Sequence, residues 1–224
     1  MPAQRRREVM TEERRIVTDI REAEDAPGRV SVYLDGRLAA TMHAAAARRL
    51  RLAVGKGAPE DLADLARAEE SQAAMAYAVR LLAQQDRTTA EIRDRLTRRG
   101  FAAEATRGTV ARLTQQGYLN DRKLAEHVVR DALTRRPRGR RAIEWTLRKR
   151  GVPDEILTTC IEQHLAGVDE TQIATKLAQQ RLRRLQGLEP SKARTRLISF
   201  LARRGFGYET IQGALERVLP SAEQ

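Results

Sequence analysis

Aromatic residues are scarce in this chain: three Phe, four Tyr and one Trp make up 4% of its 224 residues. A core without them has to come from Leu, Ala, Ile and Val, a set that favours helices. The length is enough to bury such a core, in one large domain or several small ones. No apolar run approaches the roughly 18 residues that a membrane-spanning helix requires, so none is expected. The opening "MPAQRRREVMTEERR" is charged throughout and lacks the apolar stretch of a signal peptide. A single cysteine, Cys160, excludes an internal disulfide and reads as an inert core thiol. Together these point to a reducing, cytoplasmic location.

Signatures of catalysis are missing as well. His43, His127 and His164 stand far apart, and no His or Cys pair has ligand spacing, so no metal site is expected. Neither G-x-x-x-x-G-K-[ST] nor G-x-G-x-x-G occurs, and "VGKG" at Val54 is too short to cradle phosphates and reads as a turn. Carboxylates are dispersed among Arg and Lys without a clustered pair. No cofactor and no enzymatic activity are expected. The reading is a binding protein.

What the chain has in excess is positive charge, +12 overall. From Met1 to Glu70 it carries 13 basic and 13 acidic residues; from Ser71 to Gln224 it carries 29 against 17. Cut after Leu119 and Gly167, that second part falls into three pieces of +4 each. An even positive field suits an extended polyanionic partner better than one small acidic pocket. Coding bias accounts for 37 of 42 basic residues being Arg, but not for an excess confined to one part of the chain.

The balanced N-terminal part holds "GRVSVYLDGRLAATM", where Val30, Val32 and Leu34 alternate with polar residues and Asp35-Gly36 sits at a two-residue hairpin turn. Two or three short antiparallel strands are expected over Arg15 to Met42, with a small helix near Ala44–Ala53. Such a sheet is marginal alone and needs a helix to lean on. Beyond about Ser71 the pattern is helical and repeats. "LTRRGF", "LRKRGV" and "LARRGF" align on Gly100, Gly151 and Gly205, spaced by 51 and 54 residues. Four positions before each glycine stands Leu96, Leu147 or Leu201; eight before stands Ile92, Ile143 or Leu197; ten after stands Val110, Ile161 or Leu215. Offsets of four keep the first two on one helical face. Thr88 with Glu91 forms a capping-box pattern, and Pro153 and Pro190 suit first helical turns.

The expected fold is therefore mainly α: three tandem three-helix repeats forming an elongated body, behind a small N-terminal β-hairpin or β-sheet segment. The divisions are a flexible charged N-terminus over 1–14, the β-containing segment plus helix over 15–70, and repeats over 71–119, 120–167 and 168–224.

The basic pairs admit two readings. A helix that ends on a left-handed glycine, with an apolar residue just beyond and cations in its last turn, needs no partner. Two consecutive cations exceed that need, and regular stacking would place them in a row. The densest run, "RRPRGRRAIEWTLRKRG", sets Arg135, Arg136, Arg138, Arg140 and Arg141 around a Pro/Gly turn ahead of a helix. Such a turn is suited to phosphate or carboxylate, or is simply a solvated loop. No aromatics interleave with these arginines, which argues against base stacking of the single-strand-binding type. Trp145 lies off the Ile143/Leu147 row, either a packing residue between repeats or an exposed anchor, and the first is expected.

These residues resemble the RecX family, the bacterial regulators of the recombinase RecA. The resemblance covers essentially the whole chain and is most specific from Gly117 to Val152. There it rests on Gly117-Tyr118-Leu119-Asn120-Asp121, Ala125, the Pro137-Arg138-Gly139 turn, Ile143, Leu147 and Gly151. "LLAQQDRTTAEIRDRLTRRGF" is a second match. The chain departs from the family at Leu124, where an aromatic is usual, and at Arg150. The resemblance implies a monomeric, non-enzymatic protein that binds RecA, lodges in the groove of its filament on DNA or caps the growing end, and limits extension, strand exchange and ATP hydrolysis. Weak direct DNA contact would assist. On this reading the contact face is Arg135, Arg136, Arg138, Arg140, Arg141, Lys149 and Arg150, with Arg98, Arg99, Arg203 and Arg204 second. The alternative is a helix-turn-helix-like DNA-binding transcriptional regulator, whose basic second helices would enter major grooves. A purely structural scaffold would tolerate Arg→Ala throughout the turn.

Overall fold

A computed structural model describes residues 15–24 and 26–219; the N-terminal stretch over 1–14, expected to be flexible, lies outside the described residues. Three strands come first, β1 (Val17–Glu22), β2 (Arg29–Leu34) and β3 (Arg37–His43), paired antiparallel in the order β1-β2-β3. Asp35 and Gly36 both take positive φ, 50° and 79°, which makes the tight turn between β2 and β3. Val17, Val32, Leu34 and Met42 bury one face of the sheet, whereas Val30 is only partly buried. Against that face pack α1 (Ala44–Arg49) and the first turns of α2 (Leu62–Leu82), through Ala46, Ala47, Leu62 and Ala66. The "VGKG" stretch is a turn, and it also pairs with the outer edge of β1. Val17 N–H donates to the Lys56 carbonyl at 2.8 Å, and Gly55 N–H to the Val17 carbonyl at 2.8 Å. That covers an edge otherwise open to intermolecular pairing. The 21-residue α2 runs straight through the expected 70/71 division.

Eight further α-helices follow among the described residues: α3 (Thr89–Arg98), α4 (Ala103–Gln115), α5 (Asp121–Thr134), α6 (Arg140–Lys149), α7 (Asp154–Leu165), α8 (Glu170–Leu182), α9 (Pro190–Arg203) and α10 (Tyr208–Val218). The chain is mostly helical, with the three-helix repeat visible three times. Each aligned apolar position is buried: Ile92, Ile143 and Leu197; Leu96, Leu147 and Leu201; Val110, Ile161 and Leu215. Gly100, Gly151 and Gly205 each end the second helix of their repeat with φ between 72° and 87°. Thr88 and Glu91 form the reciprocal capping box: Glu91 N–H donates to Thr88 Oγ1 and Thr88 N–H to Glu91 Oε2, both at 3.0 Å. Pro190 opens α9, but Pro153 sits one residue before α7, at its N-cap.

The chain divides into two compact units. The first comprises residues through Gln84 with Ile92–Leu113; the second comprises Gln85–Glu91 with Thr114 onward. In the first, Glu70 is buried and ties the sheet to the turn after α3. It accepts from Arg29 Nη1 and from Ala102 N–H, both at 2.6 Å, and from His43 N–H at 3.3 Å. In the second, Leu124, Val129, Ile143, Leu147, Leu157 and Ile161 form one core, and Leu177, Leu197, Leu201, Phe206, Ile211 and Leu215 form another. Cys160 is buried in the former, and burial pushes its thiol above the ordinary range.

Candidate functional site

The Arg-rich turn lies in the second unit, and its shape is set by backbone hydrogen bonds. Past the end of α5, the N–H groups of Arg135 and Arg136 both donate to the Asp131 carbonyl at 3.0 Å, and Arg138 N–H donates to Ala132 at 3.0 Å. The turn then docks on the end of α9. Gly139 N–H donates to the Arg204 carbonyl at 2.9 Å, and Arg141 N–H to the Gly205 carbonyl at 3.2 Å. No side chain fits at Gly139, whose Cβ would overlap the Gly205 carbonyl. The Arg204 guanidinium closes the contact by donating to the Pro137 carbonyl at 3.1 Å while lying over the Phe200 ring.

Docking brings two sequence-distant basic segments to one place. Arg136, Arg138, Arg203 and Arg204 line a cleft of about 580 Å³, together with Trp145 and Thr146. Arg135, Arg136 and Arg138 also line an adjoining cleft of about 390 Å³, beside His127 and Asp131. Among the described residues, no carboxylate pairs with Arg135, Arg136, Arg138, Arg141 or Arg203. Arg140 is different: its Nε donates to Glu144 at 2.8 Å, and its N–H is held by Glu170 at 2.6 Å. The expectation that Trp145 packs between repeats is corrected here, because its side chain is 62% exposed. It stands two residues from both Ile143 and Leu147, so burying that row turns the indole outward. Lys149 Nζ sits 4.8 Å from the ring centroid.

The basic pairs divide internally. The first member faces solvent: Arg98 is 80% exposed and pairs only with Asp94 one turn back, and Lys149 and Arg203 are exposed. In the second unit the second member, Arg150 or Arg204, turns inward, whereas Arg99 in the first unit is exposed. Arg150 donates to Glu91 through Nε at 2.9 Å and Nη2 at 3.0 Å, and to the Asp86 carbonyl at 2.8 Å. Its own carbonyl accepts from Thr88 Oγ1 at 2.6 Å. Burial pushes the Glu91 carboxyl up, but the hydrogen bonds from Arg150 and Thr88 outweigh it and hold the group below its ordinary range. Arg204 is held as described, and in the first unit Arg99 lies over the Tyr77 ring. Of the residues picked from the sequence, Arg140, Arg150 and Arg204 thus have their guanidiniums engaged within the protein. Arg135, Arg136, Arg138, Arg141, Lys149 and Arg203 remain open to a partner. Among the described residues there is no group of three or more His, Cys, Asp or Glu side chains able to hold a metal. No helix there is long and apolar enough to cross a membrane.

Profiles for the first, second and third three-helix domains of RecX match residues 74–113, 120–160 and 169–215. Regulatory protein RecX of Chlorobaculum tepidum is 33% identical over 150 residues, covering 67% of this chain and 91% of its own. The chain belongs to the RecX family. RecX of Mycolicibacterium smegmatis is 34% identical over 156 residues, covering 66% of this chain and 82% of its own. A crystal structure of regulatory protein RecX superposes with a TM-score of 0.59 at 23% identity, covering 88% of this chain and 97% of that one, a likeness of fold. The three matched segments contain the three glycine stops or the helices leading into them. Leu124, where the resemblance leads one to expect an aromatic, is buried in the core of the second repeat.

Proposed function

We propose that this chain is a non-enzymatic, cytoplasmic regulator of the RecA recombinase. It binds the RecA–DNA filament as a monomer, in its groove or at its growing end, and limits extension, strand exchange and coupled ATP hydrolysis. Family membership supports the regulatory role. The observation that carries the contact surface is the docking of the 135–141 turn on the end of α9, which gathers Arg136, Arg138 and Arg203 beside exposed Trp145. Guanidinium groups without carboxylate partners are available for phosphate or acidic side chains, and Arg makes such contacts bidentately. Arg135 and Arg141 extend the face, and Lys149 adds charge beyond the indole.

The test is RecA ATPase on single-stranded DNA with sub-stoichiometric protein added. Wild-type protein slows hydrolysis and shortens filaments, and combined Arg136→Glu, Arg138→Glu and Arg203→Glu substitutions abolish the effect while the melting curve is kept. Hydrolysis and filament length left unchanged by wild-type protein would refute the function. Full inhibition by the triple variant would refute the surface.

A further inference from the structure

The first unit, neutral over residues 1–70, contains a positive pocket that the sequence does not reveal. Arg48 and Arg49 from α1, Arg80 from α2 and Arg99 from the turn after α3 line one cavity of about 350 Å³ with Tyr77 and His43. Small residues, Ala45, Ala73 and Ala76, leave room between them. Arg49 is neutralised by Glu69 and also donates to Gln72 at 2.8 Å. The other nearby carboxylate, Glu70, is occupied by Arg29 and two backbone N–H groups. Among the described residues no carboxylate pairs with Arg48, Arg80 or Arg99. Arg80 and Arg99 instead rest on the same Tyr77 ring, 5.9 and 5.8 Å from its centroid.

We infer that this pocket binds a phosphoryl group. Three guanidiniums without a carboxylate partner among the described residues, drawn from three separate elements, give the pocket a positive lining that an anion would neutralise. A carboxylate supplies one negative charge, whereas a terminal phosphoryl supplies nearly two with three acceptor oxygens, and a strand supplies one on each successive phosphodiester. Guanidinium forks match that geometry. The Tyr77 ring fixes Arg80 and Arg99 in place before the anion arrives, so less side-chain freedom is lost on binding. The phosphoryl group belongs either to a free phosphate compound or to a nucleic-acid strand. The site is independent of the proposed RecA regulation, and no recombinase enters its test.

Arg48→Gln is the first variant, because among the described residues the Arg48 side chain has no hydrogen-bond or ion-pair partner; Arg80→Gln is the second. The full chain and both variants are titrated with inorganic pyrophosphate by calorimetry and with a labelled single-stranded oligothymidylate by anisotropy. Each variant is expected to weaken binding about tenfold for the probe that uses the site. Weakened pyrophosphate binding supports the site and assigns it a free phosphate ligand. Weakened oligothymidylate binding alone, with the salt slope reduced by about 0.7, supports it and assigns it a strand. Affinities unchanged for both probes in both variants, or no wild-type binding of either, would overturn the inference.

Discussion

Replacing Gly205 by Ala separates the two demands placed on a glycine stop. Gly205 holds φ at +84°, and its Cβ would collide with the backbone nitrogen and Cβ of Ala142 at the start of α6. Gly117, in the same unit, holds φ at +77° with nothing near its Cβ position. Both substitutions incur the left-handed backbone penalty of about 1–2 kcal/mol. Only Gly205→Ala adds overpacking against backbone, about 1–3 kcal/mol more. Gly151→Ala falls between, because at φ +72° its Cβ would lie 2.5 Å from a side-chain atom, Ala90 Cβ. Urea unfolding followed by fluorescence of Trp145, the only tryptophan, reports on the second unit from three residues beyond Ala142. With a denaturant slope of about 2 kcal/mol per molar, Gly117→Ala lowers the midpoint by about 0.5–1 M. Gly205→Ala lowers it by about 1–2.5 M. Equal shifts for the two variants would show that the docking contact adds nothing beyond helix termination.

The Glu91 carboxyl is held below its ordinary value of 4.5, so it contributes stability above that pH which is lost as pH falls through the lowered value. Arg150→Met should destabilise the second unit by about 1–3 kcal/mol and flatten that acid limb in melting curves. Burial lowers the His43 imidazole below 6.5, with Arg29 and Arg99 adding to the effect while the Arg99 carbonyl and Glu70 oppose it. The unfolded chain then binds the extra proton, so this contribution is full above pH 6.5 and declines below it. An NMR titration of His43 should give a midpoint under 6.5, and His43→Gln should reduce the slope of melting temperature between pH 6.5 and the lowered value. The Cys160 thiol, raised above 9.0 by burial, should react with a disulfide reagent only on unfolding; prompt labelling of the native protein would contradict its place in the core.

The repeat was legible because periodicity and punctuation agree. Leucine four residues before each glycine marks the buried row, and the glycine with its apolar follower marks the stop. Asp35-Gly36 and Thr88/Glu91 were legible for the same reason: turn and cap chemistry act within four residues. Contacts across long sequence separations leave no such trace. Nothing in "PRG" announces that Gly139 will donate to Arg204, 65 residues on, or that Arg150 will turn back to Glu91. The beginning of α2 was obscured by alanine. Ala66, Ala73, Ala74 and Ala78 are buried, yet small residues scattered around a helix draw no stripe. Trp145 was expected to pack between repeats, whereas its position between two buried residues of a short helix directs it to solvent.

The threefold motif acquires a different meaning once the contacts are compared. In every copy the carbonyl just before the glycine is met by a donor from outside its own helix. His43 Nε2 meets Arg99, with Nδ1 already accepting from Ala45 N–H; Thr88 Oγ1 meets Arg150; Gly139 N–H meets Arg204. In every copy a Cβ on the glycine would strike a segment from outside its helix: Ala90 or Ala142, beside the donor itself, in the second and third copies, and Pro27, in the turn between β1 and β2, in the first. Helix termination alone requires the left-handed glycine and nothing outside the helix. Close approach by another segment requires the missing side chain as well, and in the second unit it also engages the second cation of the pair, Arg150 or Arg204. Repetition of "RRG" or "KRG" is therefore accounted for mostly by docking. In the second unit the charge left over for a partner is the first cation of each pair, Lys149 and Arg203, with Arg135, Arg136, Arg138 and Arg141 of the turn. In the second unit docking itself brings two of these, Arg203 and the turn, into one cleft.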